Sequence, residues 1–241
     1  ETGFFLDKYD DLIFKGDSFP IEDITGAKFY DHCCGAARTA ESLDGWATAE
    51  LAHMPVVLHD LIADFLNRVE REGRWPDSLC VARAVFLHKG KPEKAGPLDL
   101  RILTILPTIY RRWASYRLAE LSPWIGQWKL PELYAGVPGQ GAEDAWYTLA
   151  LHLEHIRISQ QEFTGGAADL YKAFDQVQRP IVRSVLAAAG MPTRILQPYL
   201  HMLNHLRAHN SFDQHLGAPY TPPCGIPQGC PFSMMTLALL C

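Results

Sequence analysis

From Val57 the apolar positions 57, 58, 61, 62, 65, 66 and 69 recur at helical spacing, and they predict a helix ending near Gly73 with Pro76 just beyond. Residues 79–87 (Leu-Cys-Val-Ala-Arg-Ala-Val-Phe-Leu) read as a strand, and Ile102–Leu106 as a second short apolar run. A Lys/Gly/Pro-rich loop from Lys89 to Pro97 separates them. A helix around Tyr110–Leu121 carries Arg111, Arg112 and Arg117, and an amphipathic helix over 142–157 gathers Ala145, Trp146, Leu149, Leu153 and Ile156 on one face. Phe163–Leu170 reads as a buried strand, with Gly165 and Gly166 weakening it. Pro180 suits the first position of a helix that runs to Ala189 and stops at Gly190. Ile195, Leu196, Tyr199, Leu200, Leu203 and Leu206 mark a further helix, and Leu43-Asp44-Gly45-Trp46 a turn. Residues 1–40 are acidic and turn-rich without a strong period, and stay unassigned. The pattern predicts an α+β fold, rich in helices, with a small sheet and no internal repeat.

Composition changes this little. Of 241 residues 48% are apolar and 20% charged, ordinary values for a soluble globular protein. No apolar run reaches the roughly eighteen residues a membrane helix needs. Six cysteines show no C-x-x-C spacing and suit a reducing, intracellular setting, nucleus or cytoplasm alike. His32-Cys33-Cys34 is a poor metal site, because adjacent cysteines rarely both reach one ion. His201, His205 and His209 recur every four residues, yet without H-E-x-x-H or an acidic third ligand they read as a polar helix face.

Charge is more informative. The net −5 disfavours nucleic acid until its distribution is seen. Residues 1–80 carry −9, residues 81–120 carry +5 and residues 121–241 carry −1. A basic central block between acidic and neutral flanks is compatible with a localised phosphate-binding surface.

Two runs carry the chemistry. Ala168-Asp169-Leu170-Tyr171-Lys172-Ala173-Phe174-Asp175 sets a carboxylate after an apolar stretch and an aromatic ring five positions on. Gly225-Ile226-Pro227-Gln228-Gly229, followed by Ser233, is a stiffened turn presenting one side chain that can both donate and accept hydrogen bonds. In this order, about fifty residues apart, they resemble the A and B motifs of reverse transcriptases, closest to those of non-LTR retroelements and group II introns. His88-Lys89-Gly90-Lys91-Pro92 and Asp99-Leu100-Arg101-Ile102-Leu103 resemble the two fingers motifs of that family. Leu43-Asp44-Gly45-Trp46 through Pro55, and Tyr134 to Gly141, are softer likenesses to its flanking segments. Ile102 and Met234 depart from the family, which usually has proline at both places.

The resemblance implies polymerase right-hand fingers over 41–160 and a partial palm over 161–241, with a small antiparallel sheet. It implies an RNA-directed DNA polymerase that joins dNTPs to a primer 3′-hydroxyl with two Mg²⁺ ions, or Mn²⁺ in their place. Asp169 and the Leu170 carbonyl would ligate metal. Lys89 and Arg101 would grip the triphosphate. Phe174 would exclude a ribose 2′-hydroxyl and Gln228 would contact the nucleotide. Gly229, Ser233, Arg111 and Arg112 would face nucleic acid, although these arginines read equally well as a solvated helix. The implied partners are an RNA template, a DNA primer and dNTPs, with no membrane, and an endonuclease domain upstream. The family's third motif, an aromatic-x-Asp-Asp, does not follow Ser233, and both ends look cut. Asp169 alone offers too few carboxylates for two metals, so the chain as given is expected to be inactive. The alternative is a degenerate, non-catalytic domain that binds RNA or assists its folding.

Overall fold

The computed structural model describes residues 2–36, 39–88, 100–213 and 215–241. Its helices and strands in chain order are α1 (Thr2–Tyr9), α2 (Gly26–Cys34), α3 (Thr48–His53), α4 (Val56–Glu72), β1 (Val81–His88), β2 (Leu100–Ile105), α5 (Thr108–Glu120) and α6 (Ser122–Trp128). There follow α7 (Ala142–Ile158), α8 (Ala173–Gln176), α9 (Arg179–Ala188), α10 (Thr193–His205), β3 (Arg207–Phe212), β4 (His215–Tyr220) and α11 (Pro231–Leu240). The fold is α+β, as the pattern predicts.

The sheet is mixed, not antiparallel. Its order is β2-β1-β3-β4. β1 runs antiparallel to β2, with Val85 opposite Leu103, but parallel to β3, with Val85 opposite Ser211. Parallel neighbours need a long crossover. Here α5 to α10 all intervene between β2 and β3, so the chain returns beside β1 in the same direction.

The centre is aromatic. Trp75 meets Tyr110 at 5.4 Å and Trp113 at 5.3 Å, Trp113 meets Phe232 at 5.6 Å, and Phe232 meets Tyr199 at 5.2 Å. Edge-on geometry at such separations adds specific attraction to the burial of large rings. This chain of rings joins the end of α4 to α5, α10 and α11. The unassigned first forty residues contribute Ile24, Phe29 and Cys33 to the same core.

One buried network joins Arg117, Glu70, Trp113 and Asn67 to their partners inside that core. Arg117 is fully buried against Glu70 (Nε–Oε1 2.6 Å), pairs also with Glu120, and donates to the Glu22 carbonyl at 3.0 Å. Burial works against its charge, but hydrogen bonding and attraction from Glu70, then Glu120, hold its pKa above the ordinary value. The indole of Trp113 donates to Glu70 at 2.8 Å, and Asn67 exchanges two 2.8 Å hydrogen bonds with the backbone of Ile24.

These pairs correct the predicted face of α4. The helix buries His59, Ala63, Leu66, Asn67, Val69 and Glu70, while Val57, Leu58 and Leu61 are exposed. Asn67 and Glu70 have partners waiting inside, so two polar residues displace part of the apolar stripe. Likewise α7 forms where its period predicts, yet buries none of its residues, and Trp146 is 70% exposed. Phe163–Leu170 is not a strand: it is exposed and has no pairing partner among the described residues. A strand exists only if a neighbour takes its backbone hydrogen bonds. No helix among the described residues is long and apolar enough to cross a membrane.

Candidate functional site

The glutamine turn is held from three sides. Gly225 N–H donates to the Val177 carbonyl at 2.8 Å and Ile226 N–H to the Phe174 carbonyl at 2.9 Å, so the turn is bonded directly to the end of the carboxylate run. On its other side the Gln228 carbonyl accepts from Thr104 N–H of β2 at 2.8 Å. From below, the buried Arg179 guanidinium donates to the Gly225 carbonyl at 3.1 Å and the Cys224 carbonyl at 3.3 Å. Burial lowers the Arg179 pKa, against a partial offset from Cys224 and Tyr199.

Sequence explains why only glycine fits here. Gly229 has φ +124°, and a Cβ would stand 2.5 Å from the Thr104 carbonyl oxygen. Gly225 has φ +87°, and its Cβ would meet the Phe174 and Asp175 carbonyls at 2.9 Å. Beyond the turn α11 begins at Pro231, two residues earlier than a start at Ser233 would give, because proline suits the first helical turn. Cys230 is anchored to the Tyr110 hydroxyl (3.2 Å), whose own pKa burial pushes well up.

The turn, the carboxylate run and β2 line one cleft of about 720 Å³. Asp169, Leu170 and Phe174 enter from the first run, Arg101 from β2, and Gln228, Gly229 and Ser233 from the second. Seven of the ten expected site residues therefore meet. Asp169 is exposed, in an irregular segment before a turn, and not at a strand end as expected. Phe174 is half-buried against the core. The side chains of Arg101 and Gln228 have no hydrogen-bond partner among the described residues. Ser233 is almost wholly buried, with 1% exposure, beneath the cleft.

Three expected residues do not join this cleft. Lys89 lies outside the described residues. Arg111 donates to Thr39 Oγ1 (3.0 Å), the Ala40 carbonyl (2.8 Å) and Thr108 Oγ1 (2.9 Å), and Arg112 donates to the His32 carbonyl (2.6 Å). Arg111 staples α5 to the segment before α3 and Arg112 staples it to α2, so these guanidiniums are committed to the fold. The Leu43–Trp46 turn serves the same junction: Asp44 accepts from Thr108 N–H at 2.6 Å and so caps α5.

Other residues at the site escaped the sequence reading. Lys172 lines the cleft with an unusual φ of +49° at the start of α8. Its position inside the quoted motif was the available signal. Tyr220, at the end of β4, has its pKa raised by burial and then by the charge of Asp175. Arg179 supports the turn, yet only its neighbour Pro180 stood out in the sequence. The histidine triplet dissolves, because α10 ends at His205 and His209 lies on β3.

The donors suit a divalent ion only in part. Asp169, the Leu170 carbonyl and Asp175 border the cleft, and Mg²⁺ is commonly held by one or two carboxylates together with substrate phosphates. Among the described residues no three His, Cys, Asp or Glu side chains gather as a complete metal cage. The set fits an ion that arrives with a phosphorylated substrate. No protein-family model matches this chain, and no curated protein is significantly similar to it.

Proposed function

We propose that this cleft binds a deoxynucleoside triphosphate against a template strand, as the nucleotide site of an RNA-directed DNA polymerase domain of the retroelement type. One observation carries the reading. Two motifs about fifty residues apart, and a third from the basic block, are joined by backbone hydrogen bonds around one cleft. Each contributes there the residue type that nucleotide recognition needs.

In this reading Arg101 forms a planar, two-pronged clamp on phosphate. Phe174, fixed against the core, sets a hard surface that a ribose 2′-hydroxyl would strike, which is selection by exclusion. The Gln228 side chain offers a donor and an acceptor to the nucleotide or its template partner, while its own carbonyl is committed to Thr104. Asp169 and the Leu170 carbonyl would hold Mg²⁺ with the substrate's phosphates. The ion's contribution, when bound, is to neutralise charge on the leaving pyrophosphate.

A titration with dNTP and Mg²⁺ tests the nucleotide site. The expected outcome is binding that Arg101→Ala weakens about tenfold, with rNTP excluded until Phe174 is replaced by Val. Equal binding of rNTP and dNTP by the unaltered protein would sink the gate assignment. A second reading, a non-catalytic RNA-binding or maturase-like domain, is favoured by the incomplete carboxylate set among the described residues. Salt-dependent RNA binding without metal-dependent primer extension would select it.

A further inference from the structure

A second polar site lies away from the cleft, where α9 begins and α10 ends. A groove of about 340 Å³ there is lined by Arg179, Arg183, Gln197, His201, Asn204 and His205, and by no acidic residue. In a chain of net charge −5, a groove with two arginines, two imidazoles and two amides is a departure from the average surface.

The imidazoles are ordered in a specific way. Their rings stack 4.0 Å apart at an interplanar angle of 15°. His201 Nδ1 accepts the backbone N–H of Trp75 at 3.3 Å, so a neutral His201 carries its proton on Nε2. His205 Nδ1 lies 3.0 Å from the His201 carbonyl and must donate to it, so a neutral His205 has its lone pair on Nε2. This tautomer pair argues against a shared metal, because the Nε2 of His201 has no lone pair to give. Protonating His205 breaks no bond: Nδ1 keeps its carbonyl and Nε2 gains a proton. Protonating His201 would set two N–H groups against each other. Burial, followed by the neighbouring His205, also holds the His201 pKa below the ordinary imidazole value. The hydrogen-bond pattern therefore lets a proton be added at His205 Nε2 without loss, where it would join the Nε2–H of His201 as a donor beside Arg183.

We propose that this groove is a binding site for a phosphate group, made by Arg183, His205 and His201, with the buried Arg179 and the start of α9 behind them. The groove is separate from the nucleotide cleft, although Arg179 also supports the glutamine turn there. The charged groups on its far side, along α4 and the chain after it, are Arg68, Glu72, Arg74 and Asp77. Arg74 is engaged by Glu72 at 3.3 Å, which leaves Asp77 as the acid that opposes an anion and favours a charged imidazole.

The test is a titration of the full chain with inorganic phosphate, followed through the histidine ring protons by NMR, against chloride at matched ionic strength. The expected result is a saturable movement of His205 and His201 signals, weakened about tenfold by Arg183→Ala or His205→Gln. Both substituted side chains are exposed, and unchanged dispersion of the remaining spectrum would show that each variant folds. No phosphate-specific movement, or the same movement with chloride, would overturn the site, as would full binding by both variants. A single-stranded RNA that displaces phosphate would identify the strand backbone as its source, and failure to displace would assign the site to free phosphate or a small phosphate ester.

Discussion

The two halves of the cleft are built by opposite means. The glutamine turn is knitted to β2, to Val177 and Phe174, and to the buried guanidinium of Arg179. The run that brings Asp169 is exposed from 161 to 172 and paired with no strand among the described residues. They meet only where the run ends, at the Phe174 and Val177 carbonyls. The difference separates two ways of placing a functional group. Gln228 is positioned by backbone hydrogen bonds of the fold itself, whereas Asp169 has no hydrogen bond among the described residues to hold it.

The sharpest way to break the contrast is at Gly229. An alanine there would need φ near +124° and would press Cβ against the Thr104 carbonyl, which is backbone and cannot swing aside. A loss of about 4 kcal/mol is expected from strain and lost bonding together, read from chemical denaturation. A loss below about 1 kcal/mol would mean that the turn is not locked to β2. Arg179→Met is the next largest. It removes the donor to two carbonyls, one of them on the buried Gly225, and should cost about 2 kcal/mol. Amide exchange should quicken at Thr104 and Ile226 and stay unchanged across 161–170, where little protection exists to lose.

The same contrast decides what could be read from sequence. Gly225, Pro227 and Gly229 announce a constrained turn because their backbone chemistry is unlike that of any other residue, and the structure uses that chemistry. β1, β2, α5 and α10 follow their periods because each has a face to bury. Phe163–Leu170 has the apolar composition of a strand, but pairing is a property of two segments and cannot be read from one. The α4 face was misplaced for a related reason: Asn67 and Glu70 are polar, and only the three-dimensional presence of Ile24 and Arg117 allows them inside. Arg111 and Arg112 show the limit for function. A basic helix looks alike in sequence whether its guanidiniums meet phosphate or, as here, the carbonyls of Ala40 and His32.

Acid offers a smaller test, acting on the frame behind β2 and not on either half of the cleft. His32 packs edge-on against Tyr116 and hydrogen-bonds Ser115 at 3.2 Å, while Arg112 holds its carbonyl. Burial, then the Arg112 charge, lowers its pKa to about 4. Between the ordinary imidazole value near 6.5 and about 4, the unfolded chain takes up a proton that the folded one refuses. Stability should therefore fall as the pH drops through that window and level off, for this group, below it. His32→Gln should flatten that part of the profile. Partial exposure of the ring keeps the effect below that of Arg179→Met, and an unchanged profile would place the acid sensitivity elsewhere.

The smallest effect on stability should come from the residue on which the proposed chemistry most depends. Asp169 is exposed and hydrogen-bonds no described residue, so Asp169→Asn should change the unfolding free energy by less than about 0.5 kcal/mol. Its carboxylate is nevertheless the first donor available to an ion carried in with a triphosphate. The same substitution should weaken Mg²⁺-dependent dNTP binding about tenfold while leaving metal-free binding to Arg101 untouched. A stability loss like that of Gly229→Ala would mean that the run is held by contacts of its own, and the two halves would not differ as argued. Unaltered Mg²⁺-dependent binding would remove Asp169 from the site and leave Asp175, which lines the same cleft, as the carboxylate to test in its place.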